Sequence, residues 1–406
     1  MAVSAPQILP LGFRLGGFRC GLKNKRKDVG VIVPDDSCVA AMVGTTNHVR
    51  AACVDLSREA LASGRVGAVV VNSGNANCCT GEQGERDARR TGAIAAERLG
   101  LDPGTVAVAS TGIIGVPIDM PKLENGVLGA LDVLGDDPRP FMEAILTTDL
   151  VEKWCALALD GDGSYEVATP KSGRSRRGNA NILGMAKGSG MIAPNMATMF
   201  GFVLTDLDLS GFDLPTLWKE VCDLTFNAVS VDGDTSTNDM AFVLASGVSG
   251  VRPTRSEAKE MLLAVSESLA RQIARDGEGA TKLIEVRVSG TDDAGRIARS
   301  IVDSPLVKTA MFGCDPNWGR VMMAAGKAGI AFDPGQAVLR VGTSDALTVL
   351  FDRGRPAVFD PATVSTALKA DEVVIDLTLD GGDRAARLFG CDLGYGYVRI
   401  NAEYHT

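Results

Sequence analysis

Short runs of apolar, β-branched residues alternate along this sequence with amphipathic segments, and this alternation restricts the folds open to it. The run VGAVVVN over 66–72 predicts a buried strand. The segment ERDARRTGAIAAERL over 85–99 predicts a helix that ends at Gly100. Strands that take turns with helices are typical of α/β proteins. We therefore expect an α/β fold, built as a layered sandwich of sheets and helices.

The alternation continues to the end of the chain. Further strands are predicted at 105–109, 199–205, 283–288, 337–341, 347–351, 373–379 and 397–402. Further helices are predicted near 122–134, 138–146, 213–229, 257–275, 293–310, 319–328 and 361–369. Ser256 is predicted as the N-cap of the helix over 257–275, and the polar stretch 171–181 as a loop. A smaller C-terminal α/β subdomain is expected over about 283–406.

The composition argues against two classes of partner. A net charge of −9 provides no overall basic surface for nucleic acid. No apolar run in the sequence reaches the roughly 18–20 residues that a membrane span needs. The nine cysteines are odd in number and scattered, which favours free thiols in a reducing, cytoplasmic compartment.

Histidine is scarce, and this limits the catalytic chemistry. The sequence contains only His48 and His405. A Ser-His-Asp triad or a histidine-rich metal site would have very little material to use. If the protein catalyses acyl chemistry, its base must be a different group.

The dipeptide Ala197-Thr198, which follows a glycine-rich stretch and precedes an apolar run, offers such a base. Threonine at the start of a strand is ordinary, and this is one interpretation. The alternative is that the Thr198 hydroxyl attacks the Ala197 carbonyl and cleaves the chain there. The new α-amino group would have a pKa of about 7.7–8.0 and could serve as the base for its own hydroxyl.

Acyl transfer also needs hydrogen-bond donors for the developing oxyanion. The sequence Ser110-Thr111-Gly112 follows a predicted strand and could present a hydroxyl and a backbone N–H there. The same tripeptide is common in ordinary turns, so the residues alone leave both readings open.

Three more polar or glycine-rich segments have competing interpretations. VDGDTSTND over 231–239 is either a hydrogen-bonded structural loop, the default, or an oxygen-rich metal site without EF-hand spacing. Glu278 lies between glycines and is either a solvated carboxylate or a partner for a ligand amine. The stretch 188–193 matches G-x-G-x-x-A, but Pro194 follows, so a tight turn is favoured over a dinucleotide site.

Taken together, the motifs resemble the glutamate N-acetyltransferase (ornithine acetyltransferase) family of arginine biosynthesis, over nearly the whole chain. The motifs that carry the resemblance are GTTN (44–47), NSGNANCCTGEQG (72–84), STGIIG (110–115), TTD (147–149), AKGSGMIAPNMATM (186–199), VDGDTSTND (231–239), DGEGATK (276–282), DPNWGR (315–320) and CDLGYGYVRINAEYHT (391–406).

The resemblance implies a role for each matching residue. Thr198 would be the self-cleavage and acyl-carrying residue, and Thr111 and Gly112 would form the oxyanion hole. The implied substrate pocket consists of Thr148 or possibly its neighbour Thr147, and of Lys187, Glu278, Asn401 and Thr406. A lysine suits a substrate carboxylate, and a glutamate suits an ornithine amine.

The implied reaction passes acetyl from N-acetylornithine to Thr198 and then to glutamate, and some family members also use acetyl-CoA. No cofactor or metal is expected. The implied products of cleavage, an alpha chain 1–197 and a beta chain 198–406, would assemble as an alpha2beta2 heterotetramer. An amidohydrolase or aminopeptidase with an N-terminal nucleophile, and an uncleaved metabolite-binding protein, are the alternatives.

Overall fold

The computed structural model describes residues 6, 8–173, 175–193 and 199–403. The chain forms two compact units: one comprises the described residues up to Asn227 with Asp234–Leu269, the other Ala228–Gly233 and the described residues from Ala270 onward. Both mix strands and helices, which confirms the predicted α/β class. The predicted subdomain starts at about 283, whereas the long segment of the second unit starts at Ala270. The predicted division between Ala197 and Thr198 lies outside the described residues.

The first unit contains two sheets. Its strands are β1 (Phe13–Phe18), β2 (Val29–Pro34), β3 (Cys38–Gly44), β4 (Arg65–Val66), β5 (Ala68–Asn75), β6 (Val106–Ile113), β7 (Lys153–Leu159), β8 (Tyr165–Ala168), β9 (Ala180–Lys187), β10 (Phe200–Thr205) and β12 (Met240–Ala245). Its helices are α1 (Ala52–Ala60), α2 (Gly81–Leu99), α3 (Met120–Asp132), α4 (Arg139–Ile145), α5 (Leu214–Leu224) and α6 (Arg255–Arg275), the last of which continues into the second unit. The strand orders are β1-β2-β5-β6 and β4-β3-β12-β10-β9-β7-β8.

Both faces of the four-stranded sheet pack against other elements, as the side chains of β5 illustrate. Ala68 and Val70 belong to the core formed with α2 and α3, whereas Val69 and Val71 belong to the core shared with the seven-stranded sheet. This division follows the two-residue period of a strand. Helix α4 contacts strands of both sheets. The result is a layered α/β sandwich.

Strand β10 lies inside the seven-stranded sheet and is buried along its whole length. It pairs antiparallel with β9 and parallel with β12, and Phe200 is opposite both Lys187 and Met240. This register places the end of β9 and the start of β12 beside the residues that follow Thr198 in the sequence.

The second unit has one sheet, with the order β11-β18-β13-β17-β14-β15-β16. Its strands are β11 (Val229–Ser230), β13 (Leu283–Thr291), β14 (Val338–Thr343), β15 (Ala346–Asp352), β16 (Arg355–Pro356), β17 (Glu372–Gly381) and β18 (Ala385–Cys391). Its helices are α7 (Ala294–Val302), α8 (Pro305–Phe312), α9 (Trp318–Gly326), α10 (Pro361–Ala367) and α11 (Tyr395–Glu403). Over the described part of the chain, every helix is too short or too polar to cross a lipid bilayer.

Two sequence-based predictions in this unit are wrong. The strand predicted at 397–402 is part of helix α11, which buries none of its residues. The apolar alternation here therefore belongs to exposed or half-buried side chains, not to one face of a sheet. The single helix predicted at 293–310 is interrupted at Pro305, which has no N–H to continue the helical ladder and begins α8 instead.

The predicted N-cap of α6 is also wrong. Ser256 lies inside the helix, and Thr254 forms the cap. The Glu257 amide donates to the Thr254 hydroxyl at 3.3 Å, and the Thr254 amide donates to the Glu257 carboxylate at 2.7 Å. This reciprocal pair is a capping box, T-x-x-E.

Candidate active site

The tripeptide Ser110-Thr111-Gly112 ends β6 next to an irregularity in the sheet. Gly112 is opposite Gly74 of β5, and the register shifts at Asn75. Gly112 has φ +136°, and a Cβ there would lie 2.3 Å from the carbonyl carbon of Gly74, so only glycine fits. Thr111 is buried beside it. The carboxyl end of parallel strands is a common place for ligands in α/β proteins.

Lys187 is the last residue of β9, and the structure brings it to Thr111. The Lys187 side chain is 1 % exposed, and its Nζ donates to Thr111 Oγ1 at 3.4 Å. A buried ammonium group requires compensating negative charge or hydrogen-bond acceptors. Part of that compensation comes from Asp149, which lies near enough for the two charges to influence each other.

Asp149, in the TTD motif, is buried and held from several sides. Its Oδ1 accepts from Lys153 Nζ and from the Gly188 amide, both at 2.6 Å, and its Oδ2 accepts from the Thr147 amide at 3.0 Å. Burial raises the pKa of this carboxyl, but the charges of Lys153 and Lys187 and the Gly188 amide outweigh it. The pKa lies well below its usual range, so Asp149 is an anion that fixes the TTD loop to the end of β9.

Thr148 lies between these anchored residues, and its hydroxyl is 2.7 Å from the Ser189 hydroxyl. Thr147, the alternative choice for the substrate contact, is held through its backbone amide by Asp149. The stretch 188–193, which matched a dinucleotide pattern, opens no helix within its described residues. Its Gly188 has φ +148° and directs its amide at Asp149, as a tight turn would.

The VDGDTSTND segment is a hydrogen-bonded loop, which confirms its default interpretation, and it also links several of the other motifs, which the sequence did not predict. The Asn238 side-chain amide donates to the carbonyls of Ala76 at 2.6 Å and Ser110 at 2.7 Å. The Thr45 hydroxyl donates to the Ser236 carbonyl at 2.7 Å. This loop thus ties GTTN, NSGNAN and STG together. Among the residues that the structure describes, no group of three His, Cys, Asp or Glu side chains could hold a metal ion.

Asp239 ends the same segment and is fully buried. Its Oδ1 accepts from the Met199 amide at 2.7 Å, while its Oδ2 has no hydrogen-bond partner among the described residues. Burial raises the pKa of this carboxyl well above its usual range, against the smaller effects of the Met199 amide, the Lys187 charge and the Ser236 hydroxyl. Burial thus shifts Asp239 toward its neutral form.

Lys23 is a further cation, which sequence analysis missed because it lies in the polar stretch KNKRK (23–27). Its Nζ donates to the carbonyls of Leu146 at 2.7 Å and Ala144 at 3.4 Å, just before the TTD motif. Burial lowers the pKa of Lys23 to about 8; Asp28 opposes this effect, and the charges of Arg26 and Lys187 add to it.

In the second unit, the structure brings Glu278 and Asn401 together. The Asn401 side-chain amide donates to Glu278 Oε2 at 2.8 Å. The neighbouring Gly279 has φ +71°, and a Cβ there would lie 2.3 Å from the Tyr397 nitrogen. Glycine therefore allows the DGEGATK loop to approach helix α11 closely.

Three predicted site residues, Ala197, Thr198 and Thr406, lie outside the described residues. The nearest described neighbour of the first two is Met199, whose amide is held by Asp239.

Sequence comparisons with known proteins match almost the whole chain. A model of the ArgJ family matches residues 14–406. The arginine biosynthesis bifunctional protein ArgJ of Symbiobacterium thermophilum is 44% identical over 98% of this chain and 98% of its own length. The crystal structure of that protein from Bacillus halodurans is 41% identical and covers 50% of this chain and 98% of its own, with a TM-score of 0.47. The structure of Mycobacterium tuberculosis ornithine acetyltransferase complexed with ornithine is 32% identical and covers 48% of this chain and 96% of its own, with a TM-score of 0.40.

Proposed function

The chain belongs to the ArgJ family, so it is an acetyltransferase of arginine biosynthesis, and we propose that it moves acetyl from N2-acetyl-L-ornithine to L-glutamate. The full-length relative is called bifunctional, which supports a second activity. For that activity we propose acetyl-CoA as a co-substrate that acetylates glutamate. No other cofactor and no metal takes part in the proposed reaction.

We propose that Thr198 carries the acetyl group. Its hydroxyl first cleaves the chain after Ala197, and its freed α-amine then acts as the base for the same hydroxyl. The acetyl ester on Thr198 divides a difficult exchange between two amines into two easier steps. Ping-pong kinetics follow from this scheme, because ornithine leaves before glutamate reacts.

The observation that carries this proposal is the contact between Lys187 Nζ and Thr111 Oγ1 at 3.4 Å. Lys187 is the last residue of β9, which pairs with β10. Thr111 and the N–H of Gly112 would stabilise the oxyanion of each tetrahedral intermediate. Lys187 would bind a substrate carboxylate as a point charge. Attraction to the Asp149 carboxylate would keep the Lys187 ammonium group in place when no substrate is bound.

The remaining substrate contacts are proposed by residue type. Thr148, whose hydroxyl is partnered by Ser189, would donate to the substrate. Glu278 would bind the amine of ornithine. Asn401, whose side-chain amide donates to Glu278, would orient the Glu278 carboxylate. Thr406 would complete the set of substrate contacts.

We further propose that the cleaved chains, 1–197 and 198–406, remain together and assemble as an alpha2beta2 heterotetramer in the cytoplasm. No nucleic acid and no membrane is a proposed partner. The pairing of β9 with β10, which lie on either side of the proposed cut, supports the retention of both chains.

The test combines mass spectrometry with a two-product assay. Purified protein should contain a second amino terminus that reads TMFGF, and it should form N-acetylglutamate from N-acetylornithine and glutamate. Release of free acetate with no acetylglutamate would instead indicate the amidohydrolase alternative. A single intact chain with full transferase activity would refute the role of Thr198. Thr198→Ala serves as the uncleavable, inactive control.

A further inference from the structure

The first step of maturation needs a group that gives a proton to the departing nitrogen and takes the proton of the attacking hydroxyl. Before cleavage, the nitrogen of Thr198 is an amide and is not a base; the free amine exists only afterwards. When the Ala197 acyl group moves from nitrogen to oxygen, the departing nitrogen must gain a proton. His48 is exposed and lies in the GTTNH stretch. The group that moves the proton must therefore be another side chain, close to the residue that follows Thr198.

Asp239 is placed to act there. Its Oδ1 accepts from the Met199 nitrogen at 2.7 Å, and this nitrogen is covalently bonded to the carbonyl carbon of Thr198. Asp239 immediately precedes β12, whose first residue, Met240, pairs with Phe200. The Asp239 carbonyl also accepts from the Thr45 amide at 3.0 Å. The carboxyl group is thus held on the amide of the residue that directly follows Thr198 in the chain.

The other carboxyl oxygen of Asp239 is unlike those of a buried structural aspartate. Asp206, at the far end of β10, is equally buried, and both of its oxygens accept hydrogen bonds from Asn181 or Leu11, at 2.6–3.1 Å. Asp239 Oδ2 has no such partner among the described residues. Buried polar atoms without partners are rare in native proteins and call for an explanation. Burial also favours the protonated form of Asp239, which can donate a proton.

We propose that Asp239 is the proton donor of self-cleavage, an inference that rests on the proposed role of Thr198. As the bond from Ala197 carbon to Thr198 nitrogen breaks and the bond to Thr198 Oγ forms, the Asp239 carboxyl gives its proton to the nitrogen. The resulting carboxylate takes the proton of the Thr198 hydroxyl, so Asp239 is unchanged at the end. Water then hydrolyses the ester and releases the two chains with no other reactant.

Asp239→Asn is the most informative variant. It keeps an oxygen that can accept from the Met199 amide, but its side chain has no acidic proton. Asp206→Asn is the matched control, since it removes an equally buried carboxylate at the other end of β10. Full-length chains are made by cell-free translation, and cleavage is followed over time by gel and by mass spectrometry.

We expect Asp239→Asn to cleave roughly 10²-fold more slowly than wild type or worse, the usual effect of losing a general acid. Asp206→Asn should cleave at the wild-type rate while losing thermal stability. Hydroxylamine, which cuts esters, should not release the 1–197 chain from the Asp239→Asn precursor. Release by hydroxylamine would show that the acyl shift is intact and would overturn the proposal.

The wild-type pH profile provides a test that does not depend on whether the variant folds. The cleavage rate should fall as the pH rises through the raised pKa of Asp239, because only the protonated form donates. A rate that rises steadily with pH would overturn the proposal. Cleavage of Asp239→Asn at the wild-type rate would overturn only the role of Asp239. A wild-type protein that remains uncleaved would overturn the proposed function as well.

Discussion

Gly112→Ala tests whether the irregular end of β6 forms the oxyanion hole. The new Cβ would lie 2.3 Å from the carbonyl carbon of Gly74, 2.5 Å from the Asn75 nitrogen and 2.7 Å from the Gly74 oxygen. All three are backbone atoms, so no side-chain rotation relieves the overlap. The left-handed backbone adds about 1–2 kcal/mol of strain for alanine. We expect β5 and β6 to separate locally and the N–H of residue 112 to turn away.

Gly115→Ala is the matched control for this substitution. Gly115 also has positive φ, at +82°, but nothing lies within 4 Å of a Cβ built there. It should therefore show the backbone strain without the collision.

The assay is the single-turnover rate of acetyl-enzyme formation from N-acetylornithine, with thermal denaturation of both variants. Loss of one oxyanion donor is worth about 3–4 kcal/mol, so Gly112→Ala should be acetylated roughly 10²–10³-fold more slowly than wild type. Gly115→Ala should stay near the wild-type rate. Acetylation of Gly112→Ala at the rate of Gly115→Ala would refute the assignment.

Three further predictions address the charged groups and the nucleophile. Lys187→Met should raise the KM for glutamate about 10- to 150-fold, because it removes one hydrogen bond to a charged group. An unchanged KM would exclude Lys187 as the residue that binds the carboxylate. Asp149→Asn should lower stability at neutral pH by about 3–5 kcal/mol in denaturant titrations, because it leaves Lys153 buried without its anion. The pKa of Asp149 is lower in the folded protein than in the unfolded chain. Its contribution to the free energy of unfolding is therefore complete above about pH 4 and is lost on acidification. Asp149→Asn should accordingly lose less stability in acid than wild type. Thr198→Ala should remain one chain in denaturing gels and form no acetylglutamate, and a cleaved variant would contradict its role.

Much of the fold was predictable because local patterns and burial agree. Most of the run over 66–72 lies in the buried strand β5, although Val66 belongs to β4. The helix predicted at 85–99 lies within α2, which ends at Gly100 in the left-handed conformation. Where the pattern had no burial behind it, as in α11, the prediction failed. The cap of α6 and the break before α8 did have signals, T-x-x-E at Thr254 and Pro305, which outweigh propensity over a longer window.

Some residues of the candidate site were named from the sequence, but the contacts between them could not be predicted. Lys187 and Thr111 were both named from sequence, yet their contact joins positions 76 residues apart. The role of Asn238 depends on carbonyls 162 and 128 residues away, and backbone acceptors leave no trace in a sequence pattern. Lys23 was missed because a lysine among polar neighbours is normally solvated, and only tertiary packing half-buries it.

The pairing of β9 with β10 implies that the chain folds before the proposed cleavage. Phe200 to Thr205 pair with Lys187 to Ile182, so strands from both sides of the proposed cut share one ladder in the interior of a sheet. Cleavage of the chain between the two strands would leave their backbone hydrogen bonds intact, and the fragments could separate only by unfolding. A tag on either fragment should therefore retrieve both from native solution, and separation should require denaturant. Assembly of the sheet must accordingly come first, since scission before it would leave two pieces with unpaired edges and no shared core.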